Sequence, residues 1–210
     1  MSVFAFAVLC FSSLFTVIDP IATTPVFASM TQGRPSREAR SIALRACLVA
    51  LGVLTVFAVG GAFVFKMFGI TLDAFRIGGG VVFLTLGLPM LASHEDAHAA
   101  PSAAKDPAIV PLGVPLIAGP GAITTVMVLM GQATSIAHST ALLAALALAT
   151  AATCGVLMLS PFVTRFLGKA GLALITKVMG LIVVVIGIQF VIDGVRPVVI
   201  DILRAARSSG

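Results

Sequence analysis

The sequence predicts an all-α membrane protein: a six-span transmembrane helical bundle made of two inverted three-helix repeats, each with a discontinuous first helix. Three observations lead there. Of 210 residues, 59% are hydrophobic and 10% charged, with no Trp or Tyr, whereas a soluble domain carries about 25% charged residues. Several uncharged apolar runs exceed the ~18 residues that mark a membrane span. Finally, residues 14–30, LFTVIDPIATTPVFASM, are echoed one hundred positions later by residues 114–130, VPLIAGPGAITTVMVLM. Five of the seventeen pairs are identical: Pro20/Pro120, Ala22/Ala122, Thr24/Thr124, Val26/Val126 and Met30/Met130.

Helix 1 is expected over Val3–Met30, roughly 40 Å if continuous, which exceeds the ~30 Å hydrocarbon core. Asp19-Pro20 supplies a break, since Asp caps a helix N-terminus well and Pro suits the first helical position. The run lacks a basic n-region and an A-x-A site, so it reads as a span and not a cleaved signal. Arg34, Arg37, Arg40 and Arg45 then form the densest basic cluster in the chain. Helix 2 is expected over Ser41–Phe65 and helix 3 over Asp73–Ala92, with Arg76 in its first turn.

Residues 93–108, SHEDAHAAPSAAKDPA, read as a flexible polar linker at the midpoint of the duplication. Helix 4, Ile109–Gly131, is the least regular span, carrying Pro111, Pro115 and Pro120 with Gly113, Gly119 and Gly121. Helix 5 is expected over Ser139–Val163 and helix 6 over Leu174–Val195, followed by a short mixed tail. The division is therefore residues 1–92, the linker 93–108, residues 109–196 and the tail 197–210.

Arg76-Ile77-Gly78-Gly79 matches Lys177-Val178-Met179-Gly180 at the start of the third helix of each half. Three spans per half is an odd number, so the halves must sit inverted. Eight of the thirteen Lys and Arg residues fall on the side of the first loop. By the positive-inside rule that loop is cytoplasmic and both termini are outside. The net charge of +5 reports this orientation and does not point to nucleic acid. Cys10, Cys47 and Cys154 all lie in apolar runs, without metal-ligand or disulfide spacing.

Asp19 is the one acid deep in an apolar run, where an ionisable group is costly and marks function by default. It would serve as a partner for a substrate ammonium, as a proton site, or as both; the plainer role is a cap for the half-helix. Gly119-Pro120-Gly121 instead leaves the amides of a half-helix unobstructed, and such an end attracts anions. The two breaks thus offer opposite polarity and suit a zwitterion, with ammonium near Asp19 and carboxylate near the amides of Gly121 and Ala122. Thr23, Thr24, Thr124 and Thr125 add hydroxyls in the first turns, although a membrane Thr often bonds its own backbone. Arg76 and Lys177 read as interfacial anchors before site charges. Gln189, in mid-span, is either a substrate contact or packing glue. Gly78-Gly79-Gly80 permits close helix contact, and His94, Glu95, Asp96 and His98 read as solvated linker residues. No nucleophile–base pair stands out, so no enzyme, cofactor or metal is expected.

These motifs resemble the MarC family of bacterial inner-membrane proteins, which includes the SnatA-type small neutral amino-acid transporters. The resemblance rests on LFTVIDPIATTPVF (14–27), FGITLDAFRIGGG (68–80), VPLGVPLIAGPGAI (110–123) and TKVMGLIVVVIGIQFVIDGV (176–195). It implies six spans, a relation to the LysE-type exporters, and transport of glycine, alanine and similar amino acids driven by a proton gradient. It carries Asp19, Pro20, Thr23, Thr24, Gly119, Pro120, Gly121, Thr124 and Thr125 over as residues of the two signature stretches. Where the family motif reads DPxGNxP, this chain has Ala22 and Thr23 for the Gly and Asn, which bears on substrate identity. The rival readings are a channel-like pore, a non-transporting membrane protein and an efflux protein for drugs or other metabolites. Lipid is the other expected partner, and a homo-oligomer remains open.

Overall fold

The structure, a computed structural model, describes residues 1–31, 33–92 and 108–208, and all their regular elements are helical. The linker expected over 93–108, with His94, Glu95, Asp96 and His98, lies outside the described residues except for Ala108. Seven α-helices run in order: α1 (Val3–Ile18), α2 (Pro20–Met30), α3 (Ser36–Phe68), α4 (Leu72–Ala92), α5 (Pro120–Gly131), α6 (Ile136–Met158) and α7 (Ser160–Ser208). A π-helical segment, Ala108–Ile117, precedes α5. Among the described residues, five stretches are long and apolar enough to cross a membrane: Val3–Ala28, Ser36–Phe68, Leu72–Ala92, Ile136–Met158 and Lys177–Arg204; α5 is apolar but shorter.

The element ends follow local chemistry. Ser2 caps α1, its hydroxyl accepting from the Ala5 amide at 3.3 Å. The last turn of α3 closes at Gly69, whose φ of 62° is left-handed and free of strain only for glycine. Ser135 caps α6 through the His138 amide.

Two helix bounds expected in the C-terminal half are corrected. Helix 5 stops at Met158 and not at Val163, and the next helix begins at Ser160 and not near Leu174. Pro161 accounts for this, because in a first turn its missing N–H costs nothing, whereas further inside a helix it would break a bond. The tail expected over 197–210 is helical through Ser208, with Pro197 inside α7. At 49 residues α7 is about 74 Å long, so only its Lys177–Arg204 part suits a single crossing.

The core is built from stripes at helical spacing. Phe6, Cys10, Leu14 and Ile18 line the buried face of α1; Ile42, Ala46, Ala50 and Leu54 that of α3; Leu142, Leu146, Ala149 and Leu157 that of α6. Ile117, Ala122 and Val126 fill the space among them. All three cysteines are free and buried. Large apolar side chains cover the outside, among them Phe4, Leu48, Val59, Phe63 and Leu148, the surface expected where lipid is the solvent.

α4 and α7 pack antiparallel through glycine. A Cβ on Gly80 would stand 2.5 Å from the Gly187 carbonyl oxygen, one on Gly87 2.9 Å from that of Gly180, and one on Gly194 2.6 Å from that of Asp73. Each step of seven along α4 meets a step of seven back along α7. Small residues at this spacing let two backbones touch, and in lipid such contact is a main source of helix association.

Candidate functional site between two helix breaks

The first break is a single residue. Asp19 has φ 45° and ψ 71°, the left-handed region that Asp tolerates better than most residues. It closes α1, donating its amide to the Phe15 carbonyl at 3.1 Å. It also caps α2, its Oδ1 accepting from the Ala22 amide at 3.1 Å. Pro20 follows at the first helical position, so one residue pair ends one helix and starts the next in a new direction.

The second break has a different construction. Gly119 is extended (φ −78°, ψ 171°), Pro120 opens α5, and no side chain caps that end. The Val114–Pro115 peptide just upstream is cis. Gly119 is required by crowding against backbone, and Gly121 is closely covered by side chains. A Cβ on Gly119 would meet the Pro115 carbonyl oxygen at 2.7 Å, and one on Gly121 would meet Phe190 Cζ at 2.8 Å and Val17 Cγ1 at 3.1 Å. The last contact sets the two breaks side by side, because Val17 is two residues before Asp19.

A cavity of about 90 Å³ lies between them. Its lining includes Asp19, Ala22 and Thr23 from the first break and Gly119, Gly121 and Ala122 from the second. Of the residues singled out from sequence, these are the ones brought together. Pro20 and Pro120 are buried beside the cavity without lining it, the Pro120 ring resting against Gly79.

The threonines divide. Thr23 donates to the Asp19 carbonyl at 2.9 Å and Thr24 to the Pro20 carbonyl at 2.7 Å, the backbone bonding that competes with ligand contact. Thr124, one hundred positions after Thr24, is 7% exposed, and its hydroxyl has no hydrogen-bond partner among the described residues. Thr125 is half-buried, and neither it nor Thr124 lines the cavity.

Three further residues stand apart from the cavity. Arg76 pairs with Asp73 at 3.2 Å in the first turn of α4. Lys177 is exposed at the start of the apolar part of α7, the placement of an interfacial anchor. Gln189 is exposed and donates to Asp193 at 2.8 Å on its own helix. The remaining lining escaped sequence reading. Val17, Ile18, Phe83, Leu116, Met179, Ile182, Val183, Ile186 and Phe190 are apolar residues in apolar helices, and nothing local separates a cavity wall from a lipid face.

Comparison with known proteins agrees over nearly the whole chain. A family model described as "MarC family integral membrane protein" matches residues 4–199. "UPF0056 membrane protein MJ1677" of Methanocaldococcus jannaschii is 34% identical over 195 residues, covering 90% of this chain and 95% of its own. "UPF0056 membrane protein YvbG" of Bacillus subtilis is 33% identical, covering 92% and 95%, and "UPF0056 membrane protein YhcE" of Escherichia coli is 30% identical, covering 89% and 90%. No solved structure matches the chain.

Proposed function

Because the chain belongs to the MarC family of integral membrane proteins, we propose that it is a secondary transporter, an exporter of small neutral amino acids such as glycine and alanine. It works by alternating access around the two helix breaks, with coupling to protons. The observation that carries this reading is the shared cavity. It joins a carboxylate, Asp19, to the uncapped N-terminus of α5 at Gly121 and Ala122. An ammonium and a carboxylate find opposite partners there, since a helix N-terminus attracts anions. Asp19 also serves as the proton-carrying group in this reading.

Size supports the substrate class. About 90 Å³ is well below the ~300 Å³ floor of sites for drug-sized ligands. That favours a metabolite of few heavy atoms over drug efflux. The reading takes α1 with α2 as one crossing and the π-helical segment with α5 as another, which makes six. Gly80 and Gly87 lie one hundred positions before Gly180 and Gly187, and the same four glycines form the antiparallel α4–α7 contact, Gly80 against Gly187 and Gly87 against Gly180. Equivalent helices running antiparallel support two inverted repeats, residues 1–92 and 109–196. The first loop, with its arginines, is assigned to the cytoplasm, both termini to the outside, and the protein to the cytoplasmic membrane.

The test is uptake and counterflow of labelled glycine and alanine in proteoliposomes, with and without a pH gradient. Saturable counterflow that responds to the gradient is expected. Conduction without saturation or counterflow would favour a pore, and the absence of any flux would end the transport reading.

A further inference from the structure

The cavity has one polar side and one aromatic wall. Phe83 from α4 and Phe190 from α7 both line it, with ring centroids 5.8 Å apart and planes at 39°. Each ring covers one glycine of the second break. Phe83 Cζ would lie 3.2 Å from a Cβ on Gly119, and Phe190 Cζ 2.8 Å from a Cβ on Gly121. The break and its two glycines are thus fitted under the rings.

The wall cannot recede easily. Phe83 sits where α4 touches α7, and a Cβ on Gly187 would already be 3.1 Å from Phe83 Cβ. A backbone held by glycine contact fixes the root of each ring, and closely packed helices move only with their partners. Met179, also in the lining, is flexible and yields to a bulkier ligand. The two phenyl groups, the largest side chains around the cavity and rigid rings in themselves, do not.

We infer that Phe83 and Phe190 are the specificity-determining residues of this site, a rigid aromatic wall that caps the size of the side chain an amino-acid substrate can carry. The inference rests on the transport reading above and adds a claim about selectivity. Truncating either ring to a methyl removes six carbons beside a space of about 90 Å³, enough to admit a branched aliphatic side chain. One methylene changes selectivity by about 10–200-fold in an apolar pocket, so the leucine-to-alanine ratio should rise at least about tenfold.

The experiment is counterflow of labelled glycine, alanine and leucine by the full-length protein in proteoliposomes. Wild type, Phe83→Ala, Phe190→Ala and the milder Phe83→Leu and Phe190→Leu are compared, each checked for a monodisperse detergent-solubilised profile. Wild type should carry glycine and alanine and reject leucine. The alanine variants should accept leucine, raising its counterflow relative to that of glycine and alanine, and the leucine variants should fall between. A second arm uses the close contact at the break: Gly121→Ala should lose transport, and Phe190→Leu on that background should restore it. Unchanged selectivity in all four variants, with wild-type transport intact, overturns the inference and leaves the transport reading standing. Failure of Phe190→Leu to restore Gly121→Ala does the same. Absence of any wild-type flux removes both.

Discussion

Replacing Gly80 with alanine puts a methyl carbon 2.5 Å from the Gly187 carbonyl oxygen, 2.8 Å from Val191 Cγ2 and 3.0 Å from the Val191 amide nitrogen. Two of these neighbours are backbone, so no side-chain rotation relieves the clash, and α4 and α7 must part by close to an ångström at that point. Overpacking of this kind costs about 1–3 kcal/mol. Gly78, two residues earlier on the same helix, has nothing within 4 Å of its added Cβ. There alanine should be neutral, or stabilising by up to about 1 kcal/mol through helix propensity. The assay is reversible unfolding by SDS titration in lipid–detergent bicelles, read by circular dichroism. Gly80→Ala should lose about 1–3 kcal/mol against wild type while Gly78→Ala does not. If the two variants unfold at the same SDS fraction, the glycine contact does not hold α4 to α7 and the registry argument fails.

Asp19→Asn keeps a capping oxygen for the Ala22 amide but removes the charge, so it should retain stability and lose amino-acid binding in calorimetry; normal binding would remove the ammonium role. Asp19→Ala should lose binding and also about 0.5–2 kcal/mol of stability from the lost cap. Thr124→Val replaces a buried hydroxyl that has no partner among the described residues, and an unsatisfied buried polar group costs about 1–3 kcal/mol, so the variant should be at least as stable as wild type in the same SDS titration. Thr24→Val, which gives up the bond to the Pro20 carbonyl, should be no more stable than wild type. For orientation, all native cysteines are buried, so background labelling should be low. With an impermeant maleimide added to whole cells, Thr71→Cys should label and Ser36→Cys should not; the reverse pattern would invert the assigned topology.

Much of the site could be read from the chain because its chemistry is local. An Asp-Pro pair and a Gly-Pro-Gly triplet in uncharged runs declare a change of backbone direction whatever surrounds them. The structure places Asp19, Ala22, Thr23, Gly119, Gly121 and Ala122 around one cavity. Hydroxyls were less legible: Thr24 donates to the Pro20 carbonyl, while Thr124, one hundred positions later, has no partner among the described residues, a difference of rotamer and packing. Arg76, Lys177 and Gln189 drew notice as polar residues in apolar runs, and their neighbours on the same helices or the span end account for them.

By itself the sequence determined that this is a helical membrane protein of the MarC family, with helix ends at Asp19-Pro20 and Gly119-Pro120, because hydropathy, periodicity and proline act over a few residues. Only the tertiary structure decided which apolar faces meet. Val, Ile, Phe and Leu are equally at home against lipid or protein, so no local signal marks Phe83 and Phe190 as a wall. The helix boundary at Leu159 likewise depends on whether Pro161 ends one helix or begins another. The character of the two breaks became sharper too. The first is closed by the Asp19 side chain, and the second has no capping side chain and is roofed by two aromatic rings, a difference created by residues about one hundred positions apart in the chain.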